Sequence, residues 1–169
     1  MTEEKQCGPV CPITGCPISK VLMMTIVTAL VAFGFDWLVH GNLLKADYAA
    51  YASLWRPEET MQAFLPYCIL YHVVFAFAIS GLYCFVAKGS ACKGACPMTG
   101  IKFGLLVGLM LGITDFAAYI WLPMENTDLV IKWLIAGIVR GVLLGYVLSM
   151  LCKQCCKKSA CEKTSSCCK

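Results

Sequence analysis

Residues 129–151 read LVIKWLIAGIVRGVLLGYVLSML, a run with charge only at Lys132 and Arg140. At 1.5 Å rise per residue, such a run is long enough to cross the ~30 Å hydrocarbon core of a bilayer as a helix. Windows 21–40, 64–87 and 103–122 read the same way, each about 20 or more mostly apolar residues long. Of the 169 residues, 59% are hydrophobic and 14% charged, where soluble domains carry about a quarter charged residues. The pattern implies an all-α polytopic membrane protein of four transmembrane helices. It divides the chain into a cysteine-rich N-tail (1–20), a four-helix domain (21–151) and a cysteine- and lysine-rich C-tail (152–169), with no room for a separate soluble catalytic domain. Three cysteines and three prolines precede the first apolar run and no small-residue cleavage motif follows it, so it reads as a retained span, not a removable signal.

The charge of +4 is explained by topology. Lys5, Lys20, Lys88, Lys93, Lys102, Lys153, Lys157, Lys158, Lys163 and Lys169 are ten of the fourteen basic residues, and all lie in the N-tail, the middle loop or the C-tail. With four spans these segments share one side, which the excess of basic residues makes cytoplasmic. The bilayer is the anionic partner this implies, and nucleic acid is not. Trp37, Trp55, Trp121 and Trp133 fall at or beyond the opposite interface, as an aromatic belt would.

The chain also reads as two helix pairs. Cys16-Pro17-Ile18-Ser19 stands before Asp36-Trp37 as Cys96-Pro97-Met98-Thr99 stands before Asp115-Phe116, which suggests a parallel 2+2 internal repeat. Gly41 suits a helix end, and Leu44, Tyr48, Tyr51 and Trp55 then recur at i, i+4, i+7 and i+11, an apolar stripe for a short interfacial helix between the first two spans. Pro57, Glu58 and Glu59 suit the first turn of the next helix. Gly104, Gly108 and Gly112 in the third span and Gly137, Gly141 and Gly145 in the fourth form two small-residue rows, each of which admits a close backbone neighbour. The rows either face each other or make a contact in a homo-oligomer or larger membrane complex.

The run His40-Gly41-Asn42-Leu43-Leu44-Lys45-Ala46-Asp47-Tyr48, followed by Leu54-Trp55-Arg56-Pro57-Glu58, resembles an uncharacterised family of small four-helix bacterial inner-membrane proteins with a His-Gly-x-Leu-Leu-x-x-x-Tyr segment after the first helix. The resemblance covers roughly 21–151 and implies a four-helix fold and a bacterial inner membrane, with no activity attached. The cysteine-rich ends are additions to that pattern.

Eleven of the thirteen cysteines lie in the three segments that share a side: Cys7, Cys11 and Cys16; Cys92 and Cys96; Cys152, Cys155, Cys156, Cys161, Cys167 and Cys168. Cytosolic thiols are kept reduced, and thiolates beside lysines are ligands for soft ions. Metal binding is therefore expected, with Cu(I) or Zn ahead of other ions. Haem, suggested by the prolines after Cys11, Cys16 and Cys96, and an iron–sulfur cluster rank lower, and acylated or idle thiols are the alternative. Cys68 and Cys84, inside the second span, read as small core hydrophobes.

Asp36, His72, Asp115 and Arg140 fall within roughly 5 Å of one level in the outer half of the membrane. Ionisable groups at that depth face one another or water. Asp115 and Arg140 are expected to pair across the third and fourth spans, leaving one negative charge unmatched unless His72 is protonated. His40 is read as a helix-end group.

Three functional readings follow: a soft-metal-binding protein in metal transport or resistance, a non-catalytic accessory subunit of a larger membrane complex, or a thiol/quinone redox protein. No nucleotide loop, catalytic triad or zinc-hydrolase motif is present, and the chain is not expected to be an enzyme. With both termini cytoplasmic, a membrane-impermeant thiol reagent added to intact cells should leave the tail cysteines unlabelled until the membrane is permeabilised; rapid labelling from outside would reverse the orientation.

Overall fold

The structure, a computed structural model, describes residues 18–87, 96–123 and 127–155. Among them are six α-helices: α1 (Ile18–Leu38), α2 (Lys45–Ala50), α3 (Glu58–Ala63), α4 (Leu65–Ala87), α5 (Pro97–Trp121) and α6 (Asp128–Cys155). α1 with the turn after it, α4, α5 and α6 are each long and apolar enough to cross a membrane. Large apolar side chains cover their outer faces: Leu30 is 68% exposed, Met110 71% and Ile120 73%. A soluble monomer rarely shows apolar patches on this scale, and lipid is the solvent that suits them. The chain is a multi-pass membrane protein.

Side-chain contacts fix the directions of the spans. Cys84 meets Met24 near the start of α1, and His72 meets Asp36 near its end, so α1 and α4 run antiparallel. Gly100 faces Gly145 and Ser149 while Gly112 faces Leu134 and Gly137, so α5 and α6 do too. Val21 shares a core with Leu144 and Leu148, and Asp36 meets Arg140, which sets α6 antiparallel to α1. The start of α1, the end of α4, the start of α5 and the end of α6 therefore lie at one end of the bundle. Val21, Met24, Ile79, Tyr83, Phe103, Leu144 and Leu148 form the apolar core there.

The glycine rows face each other. A Cβ on Gly104 would press into the Gly141 carbonyl oxygen, and one on Gly108 would come within 2.8 Å of the Gly137 carbonyl oxygen. Gly100, one turn before the row and missed in the sequence because the third span was begun at Phe103, extends the contact to Gly145 and Ser149. Lipid removes the hydrophobic drive between helices, so this backbone approach, with its dispersion contacts, is what joins α5 to α6.

The outer end departs from the expected short helix in two respects. The chain does not stop at Gly41 but widens into a π-helical turn, Val39–Leu43, closed by Leu44 N–H donating to the Val39 carbonyl at 2.8 Å. The stripe is then broken between α2 and a 3₁₀ turn, Ala52–Leu54. Leu44, Tyr48, Tyr51, Leu54 and Trp55 nonetheless pack together on Val39, Leu129, Val130 and Trp133, as a cap on the bundle. Of the four tryptophans read as a belt, Trp37 and Trp121 face outward, whereas Trp55 meets the Tyr48 ring edge to face and Trp133 lies tilted against it. Pro57 is the N-cap of α3, one residue before the expected first turn. Pro66 has no N–H to donate back to residue 62 and so could not continue α3, in keeping with the break between α3 and α4 at Phe64.

Gly104→Ala should lower the thermal midpoint in detergent, with an overpacking penalty of about 1–3 kcal/mol. Gly34 has nothing within 4 Å of a Cβ, so Gly34→Ala should leave stability unchanged or raise it by up to about 1 kcal/mol. Equal responses would mean that the glycine row is not a packing contact.

Candidate functional site

The polar layer lies between the two apolar cores. Asp36 is near the end of α1, His72 on α4, Asp115 on α5 and Arg140 on α6, so each span contributes one member. Their mutual contacts correct the pairing expected from sequence. Arg140 Nη1 donates to Asp36 Oδ2 at 2.5 Å, not to Asp115. The reason lies in the glycine contact: α5 and α6 approach too closely for a charged pair between them. Arg140, set between Gly137 and Gly141, leaves on the flank of that face and reaches α1. There its guanidinium lies 5.0 Å from the centre of the Phe75 ring, and Nη2 donates to the Tyr71 hydroxyl at 3.4 Å. Asp115 lines the same pocket without a hydrogen bond among the described residues.

His72 can be assigned its protons by elimination. Its Nδ1 lies 2.7 Å from the Cys68 backbone carbonyl, an oxygen that can only accept, so Nδ1 carries a hydrogen. Its Nε2 lies 3.0 Å from Asp36 Oδ2, and that bond needs a hydrogen as well. One proton is therefore held between His72 and Asp36, on an imidazolium or a carboxylic acid. Counting it, two aspartates, one arginine and one proton sum to zero, which resolves the unmatched charge of the sequence reading. Phe33 and Tyr71 present T-shaped ring contacts to His72 at 5.3 and 5.1 Å. Asp36 Oδ1 and Arg140 Nε are buried without a hydrogen-bond partner among the described residues.

A cavity of about 450 Å³ opens beside this layer, lined by Asp36, His40, Tyr48, Tyr71, Asp115, Trp133 and Arg140 among others. His40, read in the sequence only as a helix-end group, belongs to it. Trp133 Nε1 donates to the Tyr48 oxygen at 2.8 Å, and burial pushes the Tyr48 hydroxyl above the ordinary tyrosine range, so it keeps its proton. That proton is available to His40 Nδ1, 2.5 Å away. Tyr48, Tyr71 and Trp133 were missed as site residues because they read as interface or core aromatics. The stripe that placed Tyr48 beside Trp55 gave no sign that it would reach α6.

Of the thiols, Cys7, Cys11, Cys16, Cys92, Cys156, Cys161, Cys167 and Cys168 lie outside the described residues, as does the side chain of Cys155, the last residue of α6. Cys152 packs half-buried against the apolar core at the same end. Cys96, buried just before α5, corrects the reading that made it a thiolate ligand: it is disulfide-bonded, and a disulfide sulfur has no thiolate to offer. Cys68, Cys84 and Cys152 keep their thiols. Cys68 is exposed rather than the buried hydrophobe expected, while Cys84 is buried.

Comparison with protein-family models, curated proteins and solved structures finds no match to this chain.

The ion pair generates a double-mutant test. Asp36→Asn or Arg140→Gln alone strands a buried charge and should destabilise the protein in detergent by about 3–5 kcal/mol. The double substitution should lose clearly less than the sum, whereas Asp115→Asn combined with Arg140→Gln should be closer to additive. Additivity for Asp36 with Arg140 would refute the pair.

Proposed function

We propose that this membrane protein binds soft metal ions, Cu(I) or Zn(II), through thiolates gathered at one end of its bundle, in metal transport or resistance. The observation that carries the reading is the antiparallel packing. Ile18, Ala87, Pro97 and Cys155 are the helix ends from which the N-tail, the middle loop and the C-tail depart, and they lie at a common end. The three segments that carry eleven cysteines in the sequence are thereby attached at one end of the bundle. Withdrawing Cys96 leaves ten, more than the four thiolates that close a tetrahedral site. The lysines of the same segments favour the thiolate form. By the lysine asymmetry this face is cytoplasmic, in a cell inner membrane.

The disulfide at Cys96 favours a second reading, thiol redox exchange, and one experiment separates the two. The full chain and a chain truncated after Cys155, which keeps α6 whole, are purified anaerobically with a non-chelating reductant, and Cu and Zn are counted by elemental analysis. Metal binding predicts loss of most of the metal on truncation and a further loss in Cys92→Ser. Undiminished metal in the truncated chain would overturn the composite thiol site, and a Cys96 disulfide turned over by a quinone would support the redox reading instead.

A further inference from the structure

We propose that the cavity in the outer half of the membrane is a binding site for a monovalent organic cation, an ammonium with an apolar substituent, and that the cation enters in exchange for the proton held between His72 and Asp36. The site is separate from the thiol face. Asp36 stands 18 positions after Ile18 along α1, roughly 27 Å at the helical rise.

The charge of the ligand follows from the walls. Asp115 is a carboxylate within a membrane span that has no hydrogen bond among the described residues, and Asp36 Oδ1, on another wall of the same cavity, is also unpartnered. An ionised carboxylate in a membrane interior calls for a counter-charge. Arg140 lines the same cavity with Nη1 on Asp36 and Nη2 on Tyr71, so a single guanidinium charge stands beside two carboxylates. The organic character follows from the same lining. Tyr48, Tyr71 and Trp133 line it as well, and aromatic faces attract ammonium groups; among the described residues no three His, Cys, Asp or Glu side chains are grouped to hold a metal ion. A volume of about 450 Å³ lies in the range of small-molecule pockets.

The exchange follows from charge neutrality. The groups facing the cavity and its ion pair are Asp36 from α1, His40 from the π-helical turn after it, Tyr48 from α2, Cys68, Tyr71 and His72 from α4, Asp115 from α5 and Arg140 from α6. Tyr48 keeps its proton, and Asp36, Asp115 and Arg140 sum to zero while one proton is shared between His72 and Asp36. A bound cation makes the sum +1 in a medium that penalises net charge. Release of the shared proton restores zero. Its balance is simple: one cation enters, one proton leaves to solvent, and no covalent bond other than that to hydrogen is broken. Binding therefore tightens as pH rises, by up to tenfold per unit for one released proton.

The probe is benzyltrimethylammonium, which carries no dissociable proton, titrated calorimetrically into the full chain in detergent in two buffers of different ionisation enthalpy. The expected result is saturable binding with about one proton released per cation, and no comparable binding of benzenesulfonate. Asp115→Asn should weaken binding at least about tenfold, and Asp115→Glu should retain it, which separates lost charge from lost fold. His72→Asn removes the shared proton and should bind the cation without proton release. Binding that survives Asp115→Asn, or a preference for benzenesulfonate, would overturn the cation site. Cation binding to the unaltered chain with no proton released would overturn the exchange.

Discussion

The contact of α5 with α6 through glycine backbones governs what every other side chain of the bundle can do. Where two helices meet with no Cβ between them, no side chain fits the seam, and neighbouring residues must leave on its flanks. Arg140 lies between Gly137 and Gly141, so its guanidinium is turned toward α1. There it finds Asp36, and the α5–α6 pair becomes tied to the α1–α4 pair by a charge-assisted hydrogen bond in a medium without water. Glycines thus do two jobs: they supply the dispersion contact that lipid cannot weaken, and they choose the partner of the one arginine in the spans.

That choice divides the two aspartates. Asp36 accepts from Arg140 and shares a proton with His72, so its charge is compensated from two helices at once. Asp115 is left on a cavity wall. Had the arginine bonded to Asp115 instead, Asp36 and His72 alone would have formed a closed neutral pair, and the cavity would have had no uncompensated carboxylate. The cap contributes to the same site from the other direction. Tyr48 links Trp133 of α6 to His40 beyond α1 through its hydroxyl, so the apolar stripe of α2 closes the outer end while delivering a polar tip to the cavity. The thiol face lies at the opposite end, beyond a core of Tyr83, Phe103, Leu144 and Leu148. This apolar plug separates sulfur chemistry from the charged layer.

The fold was legible because membrane helices obey a one-dimensional rule: length and apolarity suffice, and the bounds Phe64–Ala87 and Leu129–Leu151 were within a few residues of α4 and α6. The glycine rows were legible as contacts, though not as contacts with each other. The four polar residues were legible as a layer, since depth follows from counting along each helix. Their pairing was not legible, because partners are set by rotation of each helix about its axis. The sequence placed Asp115 and Arg140 at compatible depths, but the seam between α5 and α6 excluded the bond. His40 and Tyr48 stood out only as the two ends of the His-Gly-x-Leu-Leu-x-x-x-Tyr segment, and Tyr71 and Trp133 carried no signal, since an aromatic residue near a membrane interface reads the same whether it faces lipid or lines a cavity.

The sequence alone therefore determined the number of spans, the common side of the cysteine-bearing segments and the depth of the charged groups, all quantities that accumulate residue by residue along the chain. Only the tertiary structure decided that the two glycine rows meet, that Arg140 belongs to Asp36, that Cys96 is oxidised and that a proton is held on His72 and Asp36. Each of these depends on the distance between atoms far apart in the chain, and a spacing of 36 or 104 residues has no periodicity from which such a distance could be read.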